Sequence, residues 1–227
     1  MRRTRIKICC ISSLEEAALA IAEGADALGL VGHMPSGPGV IGDDLISDIV
    51  DRVPPPVSTF LLTSETAADR IVHHARRCRV DTLQLVDQVE PDAYPIIRAA
   101  LPSRRLVQVI HVDGEASVAA AAEAAGQADA LLLDSGRPSA EVKELGGTGR
   151  THDWEVSRAI VAACSCPVFL AGGLTPDNVG EAIRQVRPFG VDLCSGVRTG
   201  DRLDAGKLRA FMAAVAQADG EEITAGV

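Results

Sequence analysis

Two segments near the C-terminus, PVFLAGGL (residues 167–174) and GVDLCSGV (residues 190–197), follow the same plan. Each begins with a short apolar run of the length expected for one buried β-strand, and each then turns at glycine. A segment of helical period follows each turn, near residues 176–186 and 204–216. Such strand–helix alternation predicts parallel strands, because parallel neighbours need a long crossover connection between them.

The same alternation extends back to the N-terminus. Strand candidates occupy residues 5–9, 26–31, 57–62, 81–85, 105–111, 129–133, 167–171 and 190–194. Helix candidates lie near residues 14–23, 43–52, 65–77, 91–100, 115–125, 153–163, 176–186 and 204–216. Several strands are apolar on both faces, which suits a sheet that is covered on both sides.

Eight strand–helix units in 227 residues predict an α/β protein with one domain, a closed (β/α)8 TIM barrel. We expect residues 218–227 to form a frayed tail. The alternative fold is an open doubly wound sheet, which usually has a glycine-rich dinucleotide fingerprint after its first strand. The segment Cys9-Cys10-Ile11-Ser12 is not such a fingerprint, so the barrel is favoured.

Composition argues against several classes of function. The chain has 22 basic and 31 acidic residues, a net charge of −9, and only 3% aromatic residues. This balance disfavours nucleic acid as a partner, because phosphate backbones attract basic surfaces and single strands stack on aromatic side chains. No apolar run reaches the roughly 18 residues that span a bilayer, so we expect no membrane partner.

The N-terminal segment and the cysteines indicate a cytoplasmic protein. The basic residues at the N-terminus are followed by too short an apolar stretch for a signal peptide. The six cysteines lack the paired spacing of a zinc site, and a chain of this length does not need disulfides to be stable. We therefore expect free thiols and no bound metal.

In a barrel of this kind, functional residues lie at the carboxyl ends of the strands and in the loops that follow. Glycine-rich turns occupy three of these positions, at Gly172-Gly173, at Ser195-Gly196 and in the loop that contains Gly147. Glycine lets backbone N–H groups approach an anion closely. These turns predict a phosphate site, although glycines at such positions also serve simply to make tight turns.

Candidate proton-transfer groups end two other strands. Asp134 closes an apolar run, so its carboxyl group either has the raised pKa of a general acid or caps the following loop. Cys9 is either a general base, if a nearby cation stabilises its thiolate, or an inert buried thiol. His111 ends the fifth strand and can reach the barrel mouth, whereas His73 and His74 indicate a solvated helix face.

These motifs together resemble the phosphoribosylanthranilate isomerase family of tryptophan biosynthesis. Family motifs K-I-C-G-I-T, G-A-D-x-x-G-F, L-L-D-S, G-G-T-G, L-A-G-G-L-x-P-x-N-V and V-D-x-S-S-G-V correspond in order to residues 7–12, 24–30, 132–135, 146–149, 170–179 and 191–197. The resemblance runs from about residue 6 to 212, and it is more specific in the second half of the chain.

The resemblance implies a (β/α)8 barrel that performs an Amadori rearrangement without a cofactor. The substrate of the family is a phosphorylated aminoaldose bearing anthranilate. Asp134 is then the general acid that protonates the ribose ring oxygen, and Cys9 is the general base that removes the C2 proton. The backbone of Gly147, Gly172, Gly173, Ser195 and Gly196 is expected to hold the phosphate. The sequence is compatible with a monomer or a homodimer.

The chain also departs from the family pattern. The family's second loop carries S-P-R, whose Arg meets the anthranilate carboxylate, but no Lys or Arg occurs between Cys10 and Val50. The family's Q-L-H-G is replaced by residues 84–87, QLVD, and Arg198 stands where the family often has Glu. Arg198 or His33 is a candidate replacement for the missing charge. The alternatives are an isomerase of a phosphorylated aminoaldose without that carboxylate, or a non-catalytic barrel that binds a sugar phosphate.

Overall fold

Eight parallel strands close into a barrel in chain order, so that the first strand pairs with both the second and the eighth. The computed structural model describes residues 3–35, 37–90, 92–136 and 151–225. The strands are β1 Arg5–Ile8, β2 Ala27–Val31, β3 Ser58–Thr63, β4 Thr82–Leu85, β5 Arg105–His111, β6 Ala130–Asp134, β7 Val168–Leu170 and β8 Gly190–Leu193. The predicted barrel is thereby confirmed.

A helix follows each strand of the barrel. The helices are α1 Leu14–Ala22, α2 Asp43–Val50, α3 Ala68–Cys78, α4 Ala93–Ala100, α5 Ala116–Ala125, α6 Trp154–Ala163, α7 Val179–Val186 and α8 Ala205–Ala225. Side-chain caps fix the start of α1 and α6, where Ser13 accepts from the Glu16 N–H and Asp153 accepts from the Glu155 N–H. Within the described ranges, no helix combines the length and the apolar character needed to cross a membrane.

The core has two parts, because successive strand residues point to opposite faces of the sheet. One cluster fills the space between the sheet and the helices. The other fills the barrel interior and consists of Cys9, Cys10, Ala27, Val31, Phe60, Leu62, Val86, Val107, Val109, Ala130, Leu132, Phe169 and Ala171. Residues that continue the inward-facing series past the strand ends therefore lie at the barrel mouth.

One small element was not predicted from the sequence. After β8, a 3₁₀ turn over Ser195–Val197 leads into an antiparallel pair formed by β9 (Arg198–Thr199) and β10 (Arg202–Leu203). The residues between the two short strands are Gly200 and Asp201, and Gly200 adopts a positive φ of 59°. This two-stranded ribbon places Arg198 against the N-terminal turn of α1, as described below.

The C-terminal helix continues beyond the point where the sequence predicts a frayed tail. Helix α8 runs to Ala225, and Ala218 is buried in the core. Asp219 accepts hydrogen bonds from the backbone N–H and the hydroxyl of Thr4, at 2.9 and 2.6 Å. The prediction of fraying from residue 218 is wrong here, because a long-range contact with the start of the chain holds the helix.

We expect Asp219→Ala to lower the free energy of unfolding by about 1–3 kcal/mol, because it leaves the Thr4 N–H without its acceptor. Urea denaturation of both proteins measures the difference. Gln217→Ala is the matched control, since Gln217 is exposed on the same helix, and a change within about 0.5 kcal/mol is expected. Equal loss of stability in both variants would show that the Thr4 contact contributes nothing specific.

Candidate active site

Cys9 and Lys7 lie side by side on the inner face of the barrel. Cys9 directly follows β1, its side chain is buried, and its N–H donates to the Leu193 carbonyl at 2.8 Å. A Cβ atom added to Gly29 of β2 would lie 2.8 Å from the Cys9 Sγ and 3.0 Å from the Lys7 Nζ. Because Gly29 has no side chain, the side chains of Cys9 and Lys7 can occupy this space.

Lys7 is fully buried and forms an ion pair with Asp192. Its Nζ lies 2.8 Å from the Asp192 Oδ1, and the two residues are register partners on β1 and β8. Burial by itself lowers the pKa of Lys7, but the carboxylate of Asp192 and the neighbouring Cys9 outweigh it, so the pKa is raised. Lys7 thus remains charged and lies beside the Cys9 side chain.

Asp134 lies at the end of β6 on the same inward-facing series as Ala130 and Leu132. Burial raises the pKa of its carboxyl group, and the negative charge of Asp192 acts in the same direction. The Ser135 N–H, which donates to Oδ1 at 2.7 Å, opposes this rise, as do the charges of His111 and Lys7. The net result is that Asp134 holds its proton to a higher pH than a carboxyl group in water does.

His111 lies next to Asp134, because the two residues are register partners on β5 and β6. Its Nε2 lies 2.9 Å from the Val86 carbonyl, which can only accept, so Nε2 carries the proton. Its Nδ1 is buried and has no hydrogen-bond partner among the described residues. His111 therefore reaches the barrel mouth, as the sequence predicts, and offers an acceptor there when the ring is neutral.

The turn after β7 has the backbone geometry expected of an anion site. Gly172 and Gly173 both have positive φ angles, 81° and 62°, which glycine adopts without steric cost. Asn178 fixes the turn, because its side chain accepts from the Thr175 N–H at 2.8 Å and donates to the Gly173 carbonyl at 3.0 Å. Within the described part of the chain, the Gly172 and Gly173 N–H groups have no acceptor.

The turn after β8 packs directly against the turn after β7. A Cβ atom added to Gly196 would lie 2.0 Å from the Leu174 carbonyl oxygen, so only glycine fits at this position. Ser195, its neighbour, is exposed at the surface of the turn. The structure thus brings Gly172, Gly173, Ser195 and Gly196 together at one end of the barrel. Gly147 lies outside the described residues.

Arg198 is not free to meet a substrate carboxylate. Its Nη1 and Nη2 lie 3.0 and 2.9 Å from the two carboxylate oxygens of Glu16, and both side chains are largely buried. Nη1 and Nη2 also donate to the carbonyls of Asp201 and Cys10. The hypothesis that Arg198 replaces the family's Arg is contradicted by this bidentate pair. His33, in contrast, is exposed in the loop after β2.

One group of side chains outside the barrel mouth brings possible metal ligands together. Atoms of Asp43, His74 and Cys78 lie within 4.8 Å of one another between α2 and α3. Arg77 is also bound to the Asp43 carboxylate, at 3.2 Å, and His74 lies 3.2 Å from its other oxygen. We interpret the group as a helix-packing network. The prediction of a solvated face is correct for His73, which is exposed, and wrong for His74.

Sequence reasoning identified Cys9 and Asp134 but gave no role to Lys7 and Asp192. A local signal for both was present. Each charged residue stands in a strand, two positions before a cysteine, Cys9 or Cys194. Because strand side chains alternate between faces, both charges had to point into the barrel. Their pairing is long-range, and only the closure of β1 on β8 reveals it.

The comparisons with known proteins agree with this geometry. The family model for N-(5'-phosphoribosyl)anthranilate (PRA) isomerase matches residues 6–214. The chain belongs to the PRA isomerase family. An N-(5'-phosphoribosyl)anthranilate isomerase from Haloferax volcanii is 39% identical over 219 residues, covering 96% of this chain and 95% of that protein. The resemblance and the prediction of an isomerase are thus confirmed.

Solved structures of PRA isomerases have the same fold. Phosphoribosyl anthranilate isomerase from Thermus thermophilus matches with a TM-score of 0.80 and 29% identity, covering 94% of this chain and 99% of that one. A second PRA isomerase, in complex with reduced 1-(o-carboxyphenylamino)-1-deoxyribulose 5-phosphate, matches with a TM-score of 0.77 and 26% identity over the same shares. The barrel of this chain is therefore the barrel of the PRA isomerase family.

We expect Glu16→Gln to reduce stability at neutral pH by roughly 3 kcal/mol, because it leaves the buried Arg198 charge uncompensated. Burial raises the pKa of Glu16, but Arg198 and the backbone N–H groups of Leu203 and Ser12 lower it to about 2. The stabilisation is therefore complete above the ordinary value of about 4.5 and is lost as pH falls towards 2.

Urea titrations of both proteins at several pH values measure this contribution. The difference between wild type and Glu16→Gln should shrink below about pH 4.5. Glu123→Gln, at an exposed position on α5, is the control and should leave stability unchanged at every pH. A difference between wild type and Glu16→Gln that does not depend on pH contradicts the assignment.

Proposed function

We propose that this chain converts N-(5-phosphoribosyl)anthranilate into the carboxyphenylamino-deoxyribulose phosphate, a step of tryptophan biosynthesis. One observation carries the proposal. The barrel mouth contains a partly buried carboxyl group with a raised pKa, Asp134, and a thiol beside a buried cation, Cys9. The glycine turns after β7 and β8 supply an anion site at the same end of the barrel.

Asp134 is the general acid of the first step. It gives its proton to the ribose ring oxygen, the bond between that oxygen and C1 breaks, and the amine nitrogen forms a Schiff base with C1. The raised pKa of the Asp134 carboxyl group favours the protonated form that the step requires. The carboxylate that results lies near Lys7, whose positive charge stabilises it.

Cys9 is the general base of the second step. Its thiolate removes the proton from C2, and the electrons of the C2–H bond move into the C1–C2 bond as the C1=N bond becomes single. The enolamine then tautomerises to the aminoketose, so no atom is gained or lost overall. Lys7 is held in place by Asp192 and keeps its positive charge beside the Cys9 side chain, at the position where the proton is removed.

The phosphate turns serve to anchor the substrate. The Gly172 and Gly173 N–H groups, which have no acceptor among the described residues, and the exposed turn at Ser195-Gly196 suit a dianion. These turns follow β7 and β8, the two strands that come after the Asp134 strand, β6, in the barrel. Anchoring at the phosphate makes the proton transfers intramolecular, which is worth several orders of magnitude in rate. We propose that the reaction needs neither metal nor cofactor, and that the protein acts as a monomer or homodimer.

A specific observation favours a second candidate reaction. The loop after β2 contains no Lys or Arg, and Arg198 is bound by Glu16. Within these two candidate positions, the aryl carboxylate of anthranilate therefore finds no free Lys or Arg among the described residues, which corresponds to roughly 1.5–3 kcal/mol of lost interaction. The second candidate is the same rearrangement on a phosphorylated aminoaldose whose amine substituent has no carboxylate.

A turnover assay with fresh phosphoribosylanthranilate, which follows the loss of anthranilate-type fluorescence, distinguishes the two candidates. Turnover by the wild type and none by Asp134→Asn supports the first. Absent turnover, combined with binding of a sugar phosphate, supports the second. Absence of both turnover and phosphate binding overturns the proposal.

We expect Asp134→Asn and Cys9→Ser each to lower kcat by roughly 10²–10⁴-fold, because each removes one proton-transfer group. Binding of inorganic phosphate, measured by calorimetry, should be unchanged in both variants, since the phosphate turns are untouched. Cys78→Ser, which alters a buried thiol in α3, is the control for cysteine replacement. Wild-type kcat in either catalytic variant removes that residue from the mechanism.

If His33 contacts the aryl carboxylate, His33→Ala should raise KM for phosphoribosylanthranilate about tenfold while kcat changes little. The same substitution should not affect an analogue in which aniline replaces anthranilate. Steady-state kinetics with both substrates give the comparison. An equal change in KM for both substrates shows that His33 does not act through the carboxylate.

A further inference from the structure

Three thiols meet where β1 and β8 end. Cys9 and Cys10 are buried in the barrel interior, and Cys194 packs against them from the end of β8. The three residues belong to one packed cluster, in which the Cys10 thiol lies near both Cys194 and Cys9. Cys10 and Cys194 are also departures from the motifs quoted above, which have glycine and serine at these two positions.

The backbone at Cys10 has an unusual conformation for a side-chain-bearing residue. Its φ angle is 61°, in the left-handed region that mainly glycine and asparagine occupy. A Cβ atom added to Gly39 would lie 2.5 Å from the Cys10 Cβ and 3.3 Å from its Sγ, so the loop after β2 covers this thiol. Cys10 is thus covered by this loop and packs in the same cluster as Cys194.

Arg198 places a positive charge beside Cys194. A hydrogen bond from Cys10 lowers the pKa of the Cys194 thiol, and the Arg198 guanidinium lowers it further, although burial and Asp192 oppose this. Glu16 holds the guanidinium in place through both carboxylate oxygens. The Arg198 Nε–H is buried and has no acceptor among the described residues, so it remains available to an anionic sulfur.

We propose that Cys10 and Cys194 are a reversible redox pair, which a hydroperoxide oxidises to a disulfide that suppresses turnover. The Cys194 thiolate attacks the terminal peroxide oxygen, the O–O bond breaks, and the remaining oxygen leaves as water or an alcohol after taking a proton. The Cys10 sulfur then attacks the sulfenic acid on Cys194 and expels a second water. Both thiols are oxidised by one electron each, and the peroxide is reduced by two electrons.

The exposure of the two sulfurs fits these roles. Cys194 is partly exposed and can meet a small oxidant, whereas Cys10 is 5% exposed and can meet only a neighbouring sulfur. Cys9 is 6% exposed, and the thiols that raise the pKa of Arg198 through their charge are those of Cys194 and Cys10. The cluster therefore distinguishes an attacking thiol from a resolving one.

The disulfide joins the residue after Cys9 to the residue before Ser195. Forming it brings the two sulfurs from non-bonded packing to a bond length of about 2.05 Å, so the end of β1 and the turn after β8 must approach each other. A displacement of about 1 Å between a reacting group and its substrate can cost 10²-fold in rate. The effect on turnover rests on the proposed function, whereas the thiol chemistry does not.

The test is oxidation of the full chain with about one equivalent of hydrogen peroxide. We expect loss of two of the six thiols, a disulfide between Cys10 and Cys194 by peptide mapping, and at least tenfold lower turnover that dithiothreitol restores. Cys194→Ser should have the basal activity of the wild type, and it should lose none of its remaining thiols when it is treated with peroxide. Cys10→Gly, which suits the left-handed backbone, should accumulate a sulfenic acid on Cys194 that dimedone traps.

Cys166→Ser is the matched control, because Cys166 is partly exposed but lies outside the cluster, and it should behave like the wild type. Mapping of the bond to Cys9, or inactivation of Cys194→Ser at the wild-type rate, overturns the proposal. If the enzyme does not turn over phosphoribosylanthranilate at all, the thiol count and the peptide map still decide whether the pair forms.

Discussion

The ion pair between Lys7 and Asp192 joins the first strand of the barrel to the last, and the arrangement of the mouth depends on it. Burying a lone ammonium group inside a barrel costs several kcal/mol, so Lys7 is tolerated only while Asp192 stands opposite. Their pairing fixes the register of β1 on β8. It therefore fixes the position of Cys9, just after β1, relative to the glycine turn that follows β8.

The charges of the mouth form two separate groups. Inside the barrel, Lys7 and Asp192 act on Cys9 and Asp134, the two groups that exchange protons in the proposed reaction. Outside it, Glu16 binds Arg198 and anchors the ribbon that follows β8. Each described cation of these groups already has a carboxylate partner. In the proposed function, the phosphate therefore binds backbone N–H groups of the glycine turns.

Much of this architecture is local in sequence and was predictable. The predicted strand ends lie within one or two residues of the observed ones, because apolar runs bounded by glycine determine them. Cys9, Asp134 and the glycine turns were identified from those strand ends. The failures are long-range. Arg198 looked like a free cation because its partner Glu16 is 182 residues away, and the tail looked frayed because Thr4, which holds Asp219, is 215 residues away. Residue patterns alone do not encode such distances.

The closure of β1 on β8 has a consequence for how the chain folds as it is synthesised. Lys7 leaves the ribosome 185 residues before its partner Asp192, which emerges only after nearly all of the barrel has been made. Until then, the N-terminal strand carries a charge that no partial barrel can bury, and it must stay in water. The ion pair therefore makes the completion of the barrel a late event that involves both ends of the chain together.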